Sequence, residues 1–186
     1  MPHKVGEQIG LAIIGCGTIG RIRAEFARAY PGVGWIGLCD LKSDLGRKLE
    51  NDVKADFFTT DYKELLARPE VTAVIVATDE NFHAGPTMLA AEKGHDLFIE
   101  KPLATDARES AQILKAIQDA GVDAVVGYTQ RFRRRFLAIK EKLIRPDRRC
   151  AFCRHPGFHE QDGPHCDGPP YAGQGHPDTD GGVGDA

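Results

Sequence analysis

No stretch of this 186-residue sequence holds the roughly 18 uninterrupted apolar residues that a membrane-spanning helix needs. The N-terminal run Met1-Pro2-His3-Lys4-Val5-Gly6-Glu7 also lacks the apolar core of a secretion signal, and the apolar residues behind it have the length of a short strand. Charge of one sign is missing as well. A formal net charge of −3 gives no general attraction to nucleic acid or to an acidic membrane surface, and neither is an expected partner. Five cysteines cannot all pair, and Cys16 and Cys39 fall inside the glycine-rich pattern described next, which argues against a disulfide framework. A reducing, cytoplasmic setting is therefore the expectation. The apolar fraction of 41% is enough for one packed core.

What the chain does have is Ile9-Gly10-Leu11-Ala12-Ile13-Ile14-Gly15-Cys16-Gly17-Thr18-Ile19-Gly20, followed by Gly34-Trp35-Ile36-Gly37-Leu38-Cys39-Asp40. This is a G-x-G-x-x-G fingerprint with a strand-like run before it, a helix-like run after it and an acidic residue twenty positions beyond its last glycine. Gly15 suits a tight turn out of the strand. Gly17 has no Cβ to keep a pyrophosphate away, and its turn is expected to need a glycine backbone. Gly20 suits close packing of helix on strand. Thr18 and Ile19 open the helix, whose free N–H groups and positive dipole end favour phosphate. Asp40 can accept hydrogen bonds from the adenosine ribose. The cofactor expected on these grounds is a dinucleotide. Because Asp40 would repel a 2′-phosphate, NAD is preferred, with Lys42 close enough to leave NADP open.

The rhythm continues to about residue 144. Strands are predicted at 9–14, 34–39, 56–58, 73–77, 95–99 and 123–128, and helices at 18–30, 43–52, 61–67, 84–93, 106–120 and 133–144. Several strands are continuous apolar runs, such as Ala73-Val74-Ile75-Val76-Ala77, as parallel strands covered on both faces require. Pro31-Gly32, Gly94 and Gly121 are helix stops. In the fifth helix Ala107, Ala111, Leu114 and Ile117 recur at helical spacing, and Thr105 is the expected N-cap. The predicted class is α/β, a doubly wound parallel sheet of the Rossmann type over residues 1–145, with ligand at the carboxyl ends of the strands.

Residues 146–186 differ. They hold eight glycines, six prolines, four of the seven histidines and three of the five cysteines, with no apolar periodicity. A disordered tail is expected there, in place of a second packed domain.

Five motifs now stand in order: Gly15-Cys16-Gly17-Thr18-Ile19-Gly20; Cys39-Asp40; Val76-Ala77-Thr78 with His83 five residues later; Glu100-Lys101-Pro102 after Leu97-Phe98-Ile99; and Gly127-Tyr128 followed by Arg131-Phe132. Together they resemble the Gfo/Idh/MocA oxidoreductases, named for glucose–fructose oxidoreductase and inositol dehydrogenase, over roughly residues 8–145. The resemblance implies NAD(P)-dependent oxidation or reduction of a small sugar-like or polyol-like substrate. It implies that Lys101 faces nicotinamide and substrate as the catalytic residue, that Glu100 lies beside the nicotinamide ribose, and that Thr78 and His83 lie near the cofactor. Family members are usually homo-oligomers and carry a second, mostly β domain with the substrate contacts and an Asp/His pair for proton transfer. Independently of the family, a lysine at a strand's carboxyl end can hydrogen-bond a substrate oxygen and favour developing charge.

Asp178–Ala186, read one nucleotide later, permits Thr, Pro, Met, Val, Val, Ser, Gly, Thr and His, a string that resembles the start of the family's substrate domain. A frameshift near residue 146 is the expectation, with 146–186 an out-of-frame tail. The rival reading is a zinc module on Cys150, Cys153, His155, His159, His165 and Cys166, whose spacing matches no standard finger. No metal site is expected. A second functional reading is a non-catalytic dinucleotide-binding or sensing module, separated from the first by whether any polyol is turned over.

Overall fold

The computed structural model of the protein describes residues 8–144, and the tail, with its frameshift and zinc readings, lies outside the described residues. The chain divides after Phe132 into two compact units. The first contains β1 (Ile9–Ile14), α1 (Thr18–Ala29), β2 (Val33–Cys39), α2 (Ser43–Val53), β3 (Phe57–Thr59), α3 (Tyr62–Leu66), β4 (Ala73–Val76), α4 (Ala84–Glu92), β5 (Asp96–Ile99), α5 (Ala107–Ala120) and β6 (Ala124–Val126). In the second, the described element is α6 (Arg134–Ile144), where the Arg135 guanidinium stands 5.3 Å from the centre of the Phe136 ring.

The six strands form one sheet in the order β3-β2-β1-β4-β5-β6, parallel throughout. This order belongs to the doubly wound class predicted from the alternation of runs, and it reverses direction between β1 and β4. Alternation along the strands divides the core in two. Ala12, Ile14, Val74, Val76, Leu97 and Ile99 pack with Leu65, Leu66, Ala90 and Ala91 of α3 and α4. Leu11, Ile13, Ile36 and Leu38 pack with Ala24, Ala27, Leu49 and Val53 of α1 and α2. Ile13, Ile36, Leu38 and Ile99 are fully buried, each contributing on the order of 2 kcal/mol of apolar burial.

Two local expectations are corrected. The N-cap of α5 is Asp106, one residue after the predicted Thr105, and its carboxylate accepts the Glu109 N–H at 2.8 Å. The buried side of α5 is formed by Ile113, with Ala116 and Ile117 half-buried beside it, while Ala107, Ala111 and Leu114 are exposed. Two alanines remove little area from water, so the large β-branched side chains at 113 and 117 decide the face.

Candidate functional site

The carboxyl end of β1 turns at Gly15, whose φ of +100° lies in the region that glycine alone enters freely. A Cβ here would stand 2.5 Å from the Ala77 carbonyl oxygen, so β4 is also in contact with this turn. Gly20 brings α1 equally close, since a Cβ on it would be 1.8 Å from the Gly15 carbonyl oxygen. Gly17 is different. Its φ of −66° and ψ of −167° are open to any residue, which corrects the expectation that its turn needs a glycine backbone. A Cβ added there would meet nothing within 4 Å. The glycine thus leaves open space in front of α1, and Thr18 and Ile19 beside it are exposed. No side chain caps this helix, and its first turn has no acidic residue. Asp61 and Asp106 cap α3 and α5, while α2 and α4, like α1, have no side-chain cap. The amides of the first turn of α1 are therefore left for an anion, and a pyrophosphate fits the space a Cβ would fill.

Asp40 lies at the end of β2. One carboxylate oxygen accepts the Cys16 N–H at 2.7 Å and the other the Lys42 N–H at 2.8 Å. It clasps the fingerprint loop to β2, a task its sequence position did not disclose, and each oxygen keeps a lone pair for a ribose hydroxyl. Cys16 and Cys39 are free and buried under this clasp, with the Cys16 thiol 3.7 Å from the Cys39 carbonyl oxygen. Burial, reinforced by the nearby Asp40 carboxylate, pushes both thiols up to about 12. Neither can act as a nucleophile near neutral pH.

Across the switch point, Thr78 follows β4 and donates its hydroxyl to the Asp79 carbonyl at 3.1 Å. His83 is 1% exposed. Its Nδ1 stands 2.8 Å from the Pro102 carbonyl oxygen and its Nε2 3.2 Å from that of Thr78. The ring is therefore engaged with main chain on both sides and ties the β4 loop to the loop after β5. Its burial makes His83 a tie between the two loops.

Glu100, Lys101 and Pro102 leave the end of β5, with the Lys101–Pro102 peptide cis. The Glu100 N–H extends the ladder to the Val76 carbonyl oxygen at 2.9 Å. Arg23 of α1 donates to Glu100 Oε1 from Nε at 2.8 Å and also from Nη2. Arg23 was missed in the sequence because its partner lies 77 positions away. Lys101 is exposed, and its ammonium has no hydrogen bond or ion pair among the described residues. With Tyr128, Thr129, Gln130 and Arg131 it lines an open hollow of about 370 Å³. A free ammonium in such a hollow can donate to a ligand oxygen. No group of three or more metal-ligating side chains occurs among the described residues.

Residues 9–128 match the Gfo/Idh/MocA family, described as an oxidoreductase family with an NAD-binding Rossmann fold. The inositol 2-dehydrogenase/D-chiro-inositol 3-dehydrogenase of Shouchella clausii is 34% identical, over 77% of this chain and 40% of its own length. The inositol 2-dehydrogenase of Gluconacetobacter diazotrophicus is 33% identical, over 73% of this chain and 41% of its own. Among solved structures, GenD2 from gentamicin A biosynthesis in complex with NAD superposes with a TM-score of 0.70 at 27% identity, covering 75% of this chain and 40% of that one. The chain spans about two fifths of the length of the curated relatives it matches.

Proposed function

This chain belongs to the Gfo/Idh/MocA oxidoreductase family, and from that premise we propose that it is the cofactor-binding part of an NAD-dependent dehydrogenase of polyol-like or sugar-like substrates. The observation that carries the proposal is the alignment of three features along the carboxyl ends of the strands. Asp40 follows β2, the uncapped first turn of α1 with its open Gly17 follows β1, and Lys101, unpaired among the described residues, follows β5. A dinucleotide laid across a switch point meets them in that order, adenosine ribose first, pyrophosphate next and nicotinamide last.

When bound, NAD supplies a hydride acceptor, and the chemistry of that transfer is the cofactor's own. The chain's residues bind and orient. The amides of Thr18, Ile19 and Gly20 hold phosphate oxygens, and Asp40 accepts from the adenosine ribose. Thr78 and His83 shape the β4 loop, with His83 fixing it against Pro102. Lys101 donates a hydrogen bond to the oxygen on the substrate carbon that reacts, which orients it and favours negative charge there. Relatives named as inositol dehydrogenases support the polyol class.

Calorimetric titration of the purified chain with NAD and NADP tests the reading. Binding of NAD and weaker binding of NADP is the expected result, because a 2′-phosphate would stand against the Asp40 carboxylate. Tighter binding of NADP would overturn the role given to Asp40, and binding of neither would overturn the proposal.

A further inference from the structure

Arg23 is a long way in sequence from Glu100 and Phe98, the partners of its guanidinium. It rises from the second turn of α1, and its side chain is 25% exposed against 13% for Glu100. Two of its N–H groups converge on one oxygen, Glu100 Oε1. Its guanidinium carbon lies 4.8 Å from the centre of the Phe98 ring on β5, so the group is held by charge and by the aromatic face together. The other oxygen, Oε2, receives no hydrogen bond among the described residues. It points toward Gly127 after β6, where an added Cβ would come within 3.0 Å of it.

The topology gives this pair a place in the site. Asp40 sets the adenosine end at β2 and α1 takes the pyrophosphate, so the rest of a dinucleotide extends over β4 and β5. Glu100 stands there, next in sequence to Lys101. A largely buried carboxylate without a partner is costly, and Lys101, the next residue in sequence, has no ion pair among the described residues. With Arg23 in place the carboxylate is neutralised from the α1 side. We propose that Arg23 is a positioning residue for the nicotinamide half of the site. It fixes Glu100 so that Oε2 accepts a hydroxyl of the second ribose, and it keeps the carboxylate from capturing Lys101. The pyrophosphate helix and the lysine loop are thereby joined by one side chain. The inference rests on the dinucleotide reading given above.

The test compares two probes in the full chain by calorimetry: NAD, and ADP, which has the pyrophosphate but neither the second ribose nor the nicotinamide. Arg23→Met is expected to weaken NAD about tenfold while ADP binds as before, which also shows that the variant is folded. Arg23→Lys, which keeps the charge but not the paired N–H groups, should recover part of the loss. Glu100→Gln should weaken NAD similarly, and the double variant Arg23→Met/Glu100→Gln should be no weaker than either single one, because the two residues act as a unit. Unchanged NAD binding in Arg23→Met, equal loss of ADP, or additive losses in the double variant would each overturn the inference and leave the dinucleotide reading intact. Failure of the unaltered chain to bind either probe would overturn both.

Discussion

At Gly17 two needs that a glycine can meet come apart. Its backbone angles are ordinary, so conformation does not call for glycine, whereas the space in front of it does. Gly15 is the reverse case, with both a left-handed φ and a carbonyl 2.5 Å from where a Cβ would be. The consequence is a clean separation of binding from folding. Gly17→Val is expected to change the unfolding free energy by no more than about 1 kcal/mol, a helix-cap effect, while weakening NAD at least tenfold by filling the pyrophosphate's space. Thermal unfolding and calorimetry on the same sample check this. Normal NAD binding by the variant would mean that phosphate does not lie against α1. These glycines were legible in the sequence because the motif that contains them is contiguous. Arg23 and the Asp40–Cys16 clasp were not, because they join segments 77 and 24 positions apart, a distance that no spacing rule spans.

The order and type of the elements could be read from the runs of apolar residues, since buried parallel strands leave an unbroken signature and Gly94 and Gly121 both adopt positive φ beside helix ends. Helix faces were harder. In α1 the buried residues are Gly20, Ala24 and Ala27, while Ile22, Phe26 and the C-cap Tyr30 are exposed, so size alone would place the wrong face inward. Close approach of helix to strand selects small side chains, and hydrophobicity does not report that. Capping was misplaced by one residue at α5 because Thr and Asp are both good caps and only the chain's entry angle decides between them. Asp106→Ala is expected to lower stability by about 1 kcal/mol, and Thr105→Ala to leave it nearly unchanged. Denaturant unfolding of the two variants separates them, and the opposite ranking would return the cap to Thr105.

For the molecule as a whole, the buried thiols set a limit on alkaline stability. Burial holds both Cys16 and Cys39 up at about 12, against an ordinary thiol value of 9.0. Below the unfolded value both states carry neutral thiols and nothing is lost. Above it the unfolded chain releases protons that the folded one retains, so stability falls as pH rises from about 9 toward 12, by up to about 1.4 kcal/mol per pH unit for each thiol. Unfolding free energies measured from pH 8 to 11 should decline, and Cys16→Ala/Cys39→Ala should flatten the part of the decline due to these two groups. An equally steep decline in the double variant would remove the thiols from the account. At this scale the described residues contain no helix long and apolar enough to cross a membrane.

The Asp40 clasp also limits how cofactor preference could be redesigned. On the proposed reading, replacing Asp40 with a small neutral residue would remove the repulsion toward a 2′-phosphate, but it would also release the Cys16 N–H and slacken the fingerprint loop. A variant library that samples position 40 alone would therefore be enriched in weak binders of either cofactor. The more promising route keeps a short acceptor such as Asn at 40, so that Cys16 stays tethered, and places the new positive charge at Leu41, whose side chain is 82% exposed and free to be lengthened. Any lineage drifting from one dinucleotide to the other would face the same order of steps, gaining the cation before giving up the carboxylate.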